Sequence, residues 1–549
     1  MGDFNLNKIK NYYTLILFLL SILLFPLAVG SVHLFDWDEV NFAEITREMI
    51  LNNNFLNVQI NFQPFWEKPP LFFWIQALSM KIFGINEFAS RFPNVLIGII
   101  SILSLNYIGK KEISNQFGFI WALTYLGSLL PHFYFKSGII DPLFNLFIFL
   151  SLYSFYVYQK NFKLKDIILT ATFAAFAFLT KGPVAILIIG LVIFIFVIFN
   201  FSTFKFKFLQ FILATLLCLA ICSIWFIAEI INGGGLALFQ EFIAYQIRLF
   251  TQSEAGHGQP FFYHFIVLFF GCFPISLIAF PYILKTTVFI DNKGNDKNLY
   301  FLNFILFWVV LILFSLTTTK IVHYSSLCYF PLSFIAAYVL YKNTKEDKVL
   351  HKTSFILLTI VGVLLSFIFI ALPLIVKFKN EIIPFIKDPF AVQNILVPVQ
   401  WNGFEFLIGV FYLIFFLYLM IRIKKNSQNI FYLFFMNAIM LNLLMLFIVP
   451  KVEQHVQGSL IAFFKQHQNP KEYVVTYGFK SYAQFFYSDK QKSKNVLSNN
   501  ENWLFEGKID QPVFIVCKTM NKEKVLQFKN IKLLYEKGGF VFFVRKKER

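Results

Sequence analysis

The sequence predicts an all-α polytopic membrane protein with about thirteen spanning helices and a small C-terminal α/β domain outside the membrane. Composition is the first reason, because 58% of the 549 residues are hydrophobic and only 14% are charged. A soluble domain carries about 25% charged residues. The second reason is that apolar runs of the length needed to cross a bilayer recur along the chain. These runs are too long and too uniformly apolar for barrel strands. We therefore expect helices, in which the backbone N–H and C=O groups are hydrogen-bonded within the segment.

The apolar runs define thirteen predicted spans. The first run follows Lys8 and Lys10 and is longer than a signal-peptide core, so we expect it to remain as a helix. The fifth and sixth are separated by Gly182 and Pro183. The predicted spans are 12–34, 90–109, 117–133, 139–158, 166–180, 183–201, 208–231, 262–284, 299–317, 325–341, 354–376, 405–422 and 428–449.

The positions of Lys and Arg predict the orientation of these spans. If the N-terminus is cytoplasmic, every connection on the inside is short and basic, as the positive-inside rule requires. The formal charge of +18 therefore reflects topology, and we predict no nucleic-acid partner. An odd number of spans places the C-terminal tail outside. We expect a multi-pass protein of the plasma (inner) membrane whose outside segments are 35–89, 134–138, 181–182, 232–261, 318–324, 377–404 and 450–549.

Two parts of the chain stand outside this helical pattern. In the first outside loop, residues 39–51 and 71–83 predict two helices lying along the membrane interface. Residues 1–449 form the predicted membrane domain, and the more polar residues 450–549 form a second, extracytoplasmic domain. That domain should contain a helix at 452–467, a strand at 473–477, a helix at 481–487, a strand at 513–517 and a strand at 541–544 after the Gly538-Gly539 turn.

Acidic side chains mark two of the predicted outside positions. Asp38 and Glu39 follow the first span, and Asp141 begins the fourth. Carboxylates at a membrane boundary are costly unless they are paired or functional. They could bind a metal, or orient and deprotonate an acceptor hydroxyl. The structural alternative is helix capping, which for Asp141 is strengthened by Pro142 at the next position.

Basic and aromatic side chains mark three more outside positions. Lys68 precedes a rigid Pro-Pro turn, where a lipid phosphate is its expected partner, and Arg248 can grip phosphate oxygens bidentately. Lys320 and Tyr324 are four residues apart and could share one helix face. For Lys68, Lys320 and Tyr324 the structural alternative is an interface anchor at a turn.

A metal site is the last candidate from the residues themselves. His257 lies in a glycine-flanked outside loop and could ligate a metal together with a carboxylate such as Glu67, although a lone loop histidine is more often a polar surface residue. All these positions fall on one predicted side of the membrane. A cluster of carboxylate, Lys, Arg, His and Tyr side chains on one face suits the handling of a phosphorylated lipid.

The motifs that carry these residues resemble the start of family-39 and family-83 glycosyltransferases. The similar strings are Asp38-Glu39 with the following Ala-Glu-Ile, then Glu67-Lys68-Pro69-Pro70, then 83–91. The resemblance resumes at Asp141-Pro142, at 180–183, and at the Arg248 and Lys320 segments, and it covers roughly residues 30–345. These families include bacterial 4-amino-4-deoxy-L-arabinose transferases of lipid A and protein O-mannosyltransferases.

This resemblance implies a GT-C fold, a polyprenyl-phosphate-sugar donor, no nucleotide cofactor and inversion at the anomeric carbon. It also implies that Asp38, with Glu39 beside it, is the first-loop acid and that Asp141 is a second acid near the acceptor. Lys68, Arg248 and Tyr324 match positions expected to hold the donor phosphate. Glu67 and His257 match residues that can hold a divalent metal such as zinc, magnesium or manganese.

Function is therefore predicted as sugar transfer to an extracytoplasmic acceptor, with lipid A, another glycolipid, a polysaccharide and a protein all left open. Two other classes compete with the enzyme. A transporter or lipid-sugar flippase should carry ionisable residues and broken helices near the midplane, in two related halves. Here the charges gather at one interface and the halves show no matching pattern. The third class is a polytopic assembly protein without catalysis.

Overall fold

The structure is a computed structural model that describes residues 6–251, 258–284 and 295–547. The membrane domain is helical, as predicted. Each predicted span contains one helix or two consecutive helices, although the helix of the first predicted span, 12–34, ends at Leu24. The helices of this part are α1 (Tyr13–Leu24), α2 (Asp38–Leu51), α3 (Leu71–Phe83), α4 (Glu87–Glu112), α5 (Asn115–Leu126), α6 (Leu129–Tyr134), α7 (Asp141–Asn161), α8 (Leu164–Lys181), α9 (Val184–Phe199), α10 (Phe208–Glu229), α11 (Gly235–Thr251), α12 (Tyr263–Gly271), α13 (Ile275–Ile283), α14 (Asn295–Leu316), α15 (Tyr329–Lys345), α16 (Lys352–Lys377), α17 (Lys379–Ile382), α18 (Pro389–Leu396), α19 (Phe406–Lys425) and α20 (Ile430–Phe447).

Seven helical segments in the described ranges are long and apolar enough to cross a membrane by themselves. They are Glu87–Glu112, Phe208–Asn232, Lys297–Leu316, Val322–Lys345, Lys352–Lys377, Phe406–Lys425 and Ser427–Phe447. The protein is thus a multi-pass membrane protein, while the full count of thirteen stays a prediction. Proline explains two of the interrupted spans. Pro26 follows the end of α1, and Pro274 separates α12 from α13, since proline restricts the residue before it and cannot donate a helical hydrogen bond.

The first outside loop contains the two predicted helices, α2 and α3, and a short antiparallel hairpin of β1 (Gln59–Ile60) and β2 (Gln63–Pro64). The amphipathic interface helix expected at 39–51 is corrected by the structure, because every residue of α2 from Glu39 to Met49 is buried. Arg47 and Glu44 are buried in an ion pair: Arg47 binds Glu44 at 2.7 Å and also binds Asp489 of the C-terminal domain at 2.9 Å. A helix surface can look polar in sequence and still be buried when its charges are paired.

The C-terminal domain follows the predicted order. It begins with α21 (Val449–Glu453), a π-helical turn at Gln454–Gly458 and α22 (Ser459–Gln466) in place of one continuous helix. The sheet order is β3-β4-β6-β5, with β3 parallel to β4 and the other neighbours antiparallel. The remaining elements are β3 (Tyr473–Tyr477), α23 (Ala483–Tyr487), α24 (Glu501–Glu506), β4 (Val513–Lys518), α25 (Lys522–Leu526), β5 (Ile531–Lys537) and β6 (Phe540–Arg545).

The predicted turn between the last two strands is confirmed at Gly538 and Gly539. Their φ angles are 61° and 75°, which only glycine adopts without a steric cost. Two consecutive residues with positive φ form the tight turn that suits the twist of a hairpin. The sheet and α22 pack on the membrane domain through residues such as Phe463, Phe464 and Phe542, which belong to the same apolar core as the membrane helices.

Candidate active site

A cavity of about 560 Å³ lies where the first outside loop, the start of α7, the turn before α15 and the C-terminal domain meet. Its wall draws on segments that the charge pattern placed on one side of the membrane. Seven of its lining side chains are charged or titratable near neutral pH. The lining residues are Trp37, Asp38, Asn41, Phe42, Phe65, Glu67, Lys68, Ile140, Asp141, Lys181, Tyr245, Thr319, Ile321, His323, Tyr324, Lys480 and Tyr482.

Asp38 is presented to this cavity by the first turn of α2. Its Oδ2 lies 3.0 Å from Nε2 of His323, and no side chain of the described residues caps the N-terminus of α2, so the capping alternative is not realised. Burial by itself would raise the pKa of Asp38, but His323 and the nearby Lys68 and Lys181 outweigh it and hold that pKa below its usual value. Asp38 is therefore a carboxylate at neutral pH.

Asp141 and Lys181 form a second charged pair in the wall. Nζ of Lys181 lies 2.5 Å from Oδ1 of Asp141, and the side chains are only 10% and 3% exposed. Oδ2 of Asp141 lies 3.9 Å from Nε2 of His323 and has no hydrogen-bond partner among the described residues. The Lys181 ammonium also lies 4.9 Å from the centre of the Tyr324 ring. Asp141 therefore holds the Lys181 ammonium in the cavity wall instead of capping α7.

Lys68 enters the cavity from the turn that precedes α3. Its Nζ lies 4.9 Å from the centre of the Tyr245 ring, which is within the range of a cation–π interaction. Burial and the like charge of Lys181 lower the pKa of Lys68, although the carboxylates of Glu67, Asp38 and Asp141 oppose this shift. A bound anion would oppose this shift, because negative charge beside the ammonium favours its charged form, so the site favours a ligand that carries negative charge.

Glu39 occupies a different environment from Asp38. Its two oxygens accept hydrogen bonds from Nε and Nη2 of Arg91, each at 2.7 Å. They also accept the backbone N–H groups of Gly138 at 2.6 Å and Phe35 at 2.9 Å. Glu39 does not line the 560 Å³ cavity but a neighbouring, mostly apolar one of about 370 Å³. Asp38 and His323 also line that neighbouring cavity. The contacts of Glu39 fix the start of α2, and the catalytic role expected for it from the sequence stays a prediction.

Two predicted phosphate ligands lie outside the cavity wall. Lys320 is 6% exposed, and its Nζ donates to the carbonyl of Thr317 at 2.5 Å. The expectation that Lys320 and Tyr324 share a helix face is wrong, because Lys320 precedes the 3-10 helix Val322–Cys328 that carries Tyr324. Arg248 is exposed on α11, with its guanidinium 5.9 Å from the Tyr245 ring centre, which places it near the rim.

The metal prediction rests on Glu67 and His257. Glu67 lines the cavity, whereas His257 lies outside the described residues. Within the described ranges, no group of three or more His, Cys, Asp or Glu side chains is arranged to hold a metal ion. The described donors therefore do not form a metal site by themselves, and no step below depends on one.

The cavity residues to which the sequence assigns no role include Lys181, His323, Lys480 and Tyr482. Lys181 and His323 stand inside motifs that were recognised, yet nothing in the local pattern showed which side chain would turn inward. Lys480 and Tyr482 come from the C-terminal domain. Only tertiary contact brings them to Asp38, through the Trp37 ring, which lies 5.0 Å from the Tyr482 ring.

The chain is similar to known membrane glycosyltransferases. The family profile described as dolichyl-phosphate-mannose-protein mannosyltransferase matches residues 67–227. An uncharacterized protein of Aquifex aeolicus (strain VF5) is 30% identical over 332 residues, which cover 60% of this chain and 74% of that protein. An undecaprenyl phosphate-alpha-4-amino-4-deoxy-L-arabinose arabinosyl transferase of Wigglesworthia glossinidia brevipalpis is 29% identical over 372 residues. The chain belongs to this family of GT-C glycosyltransferases.

A solved structure shares the fold of this protein over nearly the whole chain. The crystal structure of ArnT from Cupriavidus metallidurans bound to undecaprenyl phosphate matches with a TM-score of 0.73 at 14% identity, covering 97% of this chain and 98% of that one. The GT-C fold with its C-terminal sheet domain is thereby confirmed. The alignment with the Wigglesworthia transferase covers 65% of this chain and 63% of that relative.

Proposed function

We propose that this protein transfers a sugar from a polyprenyl-phosphate donor to an acceptor outside the cytoplasm, with a lipid A-like glycolipid as the first candidate acceptor. The observation that carries the proposal is the single cavity in which ionised Asp38 faces Lys68 and Lys181. Sugar transfer from a lipid phosphate needs a group that handles a hydroxyl proton beside cations that receive a phosphate. The cavity supplies both within one wall.

The names of the relatives support the choice of donor. The Wigglesworthia protein is named for an undecaprenyl phosphate-linked aminoarabinose, and the Cupriavidus structure holds undecaprenyl phosphate. In this chain, Lys68 is the cation best placed to receive such a phosphate, since it lines the cavity and its burial disfavours an unpartnered charge. Arg248, near the rim, would contact the same phosphate from the solvent side.

The mechanism follows from the positions of the charges. Asp38 accepts a hydrogen bond from the acceptor hydroxyl and orients its oxygen toward the anomeric carbon. As the new C–O bond forms, the bond to the phosphate oxygen breaks and polyprenyl phosphate leaves as an anion. Lys68 and Lys181 stabilise that developing charge. The hydroxyl proton passes to the Asp38–His323 pair as the hydroxyl becomes acidic in the transition state. One displacement of this kind inverts the anomeric carbon.

We further propose that the cavity and the C-terminal domain face the extracytoplasmic side and that the N-terminus is cytoplasmic. Charge placement supports this, because the cavity is built from the predicted outside segments whereas the clusters 110–111 and 422–425 lie at opposite helix ends. Labelling of single cysteines introduced at 38, 68 and 346 with a membrane-impermeant maleimide tests it. Reaction of 346, but not of 38 and 68, in intact cells would contradict the assignment.

Transfer itself is tested with the full-length protein in lipid nanodiscs, supplied with undecaprenyl-phosphate-linked aminoarabinose and lipid A. Asp38→Asn should lower the rate about 100-fold or more, the usual scale for removing a general base. Glu346→Gln is the matched control, since Glu346 is exposed and pairs with its exposed neighbour Lys348 on the surface. Equal rates for Asp38→Asn and the wild-type protein would refute the proposal, and a rate that falls on EDTA treatment would support the metal predicted at Glu67 and His257.

A protein acceptor is the second candidate, favoured by the description of the matching family profile. The two acceptors are distinguished by mass spectrometry of envelope glycolipids and glycoproteins from a deletion strain and its complemented parent. Loss of a sugar from lipid A supports the first candidate. Loss of hexoses from Ser or Thr of secreted proteins, with lipid A unchanged, supports the second.

A further inference from the structure

A second polar cavity, of about 520 Å³, lies in the C-terminal domain beside the first. We propose that it binds the carbohydrate part of the acceptor, as a glycan that carries an anionic substituent; its role as an acceptor site rests on the proposed function. The lining residues are Asn61, Val474, Val475, Thr476, Gly478, Phe479, Lys480, Ser481, Tyr482, Gln484, Phe485, Lys490, Ser498, Asn499, Glu501 and Leu504.

The cavity lies along the edge of the C-terminal sheet. β3 is the edge strand of that sheet, next to β4, and the cavity wall includes Val474, Val475 and Thr476 of β3 and the segment 478–482 that follows the strand. Gly478, with a φ of 74°, turns the chain away from the strand and opens this space.

The lining chemistry suits a sugar. Amides and hydroxyls such as Gln484, Asn499 and Thr476 offer both donors and acceptors, which sugar hydroxyls require. The rings of Phe479 and Phe485 add apolar surfaces on which the C–H face of a sugar can pack. The volume lies within the usual range for small-ligand sites, about 300–1,000 Å³.

The charges of the lining favour an anionic glycan. Two cations, Lys480 and Lys490, stand against one carboxylate, Glu501. Lys490 is held in place, since its Nζ donates to Oδ1 of Asn499 at 2.9 Å and lies 4.9 Å from the centre of the Phe485 ring. A phosphate or carboxylate on the sugar would receive this preoriented ammonium.

The two cavities share a wall. Lys480 and Tyr482 line both of them, and Nζ of Lys480 lies 4.9 Å from the Trp37 ring centre. The backbone N–H of Tyr482 donates to Asp36 at 3.2 Å, which fixes this segment beside the start of α2. A glycan in the second cavity would therefore lie one side chain away from Asp38, close enough to extend a hydroxyl into the first.

Binding is tested without relying on transfer. The probe is the water-soluble glucosamine disaccharide bisphosphate, compared with the same disaccharide without phosphates, titrated calorimetrically into full-length protein in nanodiscs. Asn499→Trp should fill the cavity and weaken binding of the bisphosphate at least tenfold, and Phe485→Leu should weaken it by removing the ring. Lys490→Met should reduce the preference for the bisphosphate over the neutral disaccharide. Lys532→Trp, an exposed strand position of the same domain, is the matched control.

Equal affinity in the wild-type protein and in Asn499→Trp would overturn the proposal, as would no measurable binding to the wild type or equal affinity for the two disaccharides. Asp38→Asn should bind the probe like the wild type. If the probe binds as expected but no sugar is transferred, the proposed function fails while the glycan site stands. If transfer occurs with normal KM for lipid A in Asn499→Trp, the glycan site fails while the proposed function stands.

Discussion

Replacing Glu39 with Gln separates two adjacent carboxylates that the sequence pattern could not distinguish. Asp38 faces the cavity, whereas Glu39 is 5% exposed and holds Arg91 through two contacts of 2.7 Å. We expect Glu39→Gln to act on stability and on the position of α2, because its side chain is held by Arg91 and does not line the 560 Å³ cavity. Asp38→Asn should act on the reaction itself.

The size of the effect follows from the contacts. In Glu39→Gln the amide oxygen can keep the bonds made by one carboxylate oxygen, but the NH₂ group would then face Nη2 of Arg91 and the N–H of Phe35. Two hydrogen bonds are lost, at about 1.5–3 kcal/mol each for bonds to a charged group. The guanidinium of Arg91 also loses its counter-charge in a buried position. Breaking a buried pair typically costs about 3–5 kcal/mol, which is the destabilisation we expect.

The assay is SDS-driven unfolding in mixed micelles, followed by circular dichroism, with transfer rates measured on the folded fraction. The double variant Glu39→Gln/Arg91→Met should lose less than the sum of the two single variants, since neither charge is then left alone. The reasoning is refuted if Glu39→Gln unfolds like the wild-type protein but loses transfer as completely as Asp38→Asn. That result would return Glu39 to the catalytic role expected from the sequence.

Three further predictions test other contacts. His323→Gln removes the partner that lowers the pKa of Asp38, so the acidic limb of the transfer-rate profile should move to higher pH, measured in nanodiscs. Burial raises the pKa of Glu48 from 4.5 to about 9, so the folded state holds a proton that the unfolded state releases. The free energy of unfolding should therefore fall as pH rises between these two values. In SDS titrations Glu48→Gln should flatten that fall and should be more stable than the wild-type protein at pH 7. Gly118→Ala should destabilise by about 1–3 kcal/mol, because its Cβ would lie 2.3 Å from a backbone oxygen of α4, whereas Gly190→Ala meets nothing within 4 Å and should be neutral or stabilising by thermal unfolding.

The helices of the membrane domain could be predicted because lipid leaves few choices for the backbone. An apolar run such as 354–376 has to be helical, and the structure places α16 at Lys352–Lys377. The strand at Tyr473–Tyr477 was equally predictable from its β-branched and aromatic residues between polar segments. Burial of α2 was not, since its sequence pattern of charges is the same whether those charges face water or one another.

The candidate site was only partly predictable for a related reason. The sequence reveals which residues are chemically capable, but not which of several neighbours turns inward. In the turn before α15, the sequence predicts Lys320 as a phosphate ligand. In the structure Lys320 is buried and donates to the Thr317 carbonyl, whereas His323 contacts Asp38. The charge pattern predicts the same side of the membrane for both residues. The choice between them depends on the 3-10 geometry of Val322–Cys328, which has no clear mark in the sequence.

α2 links the catalytic carboxylate to both domains, and this makes the C-terminal domain part of the site. At its start Glu39 is held by Arg91 of the membrane domain, and toward its end Arg47 donates to Asp489 and to the carbonyl of Lys490. Because α2 is buried between these two anchors, a displacement at either end must move the first turn that presents Asp38. The loop that contributes Lys490 also lines the proposed glycan cavity. A glycan bound at Lys490 would contact a loop that is joined to α2 through Arg47, so we expect glycan binding in that cavity to affect the position of Asp38.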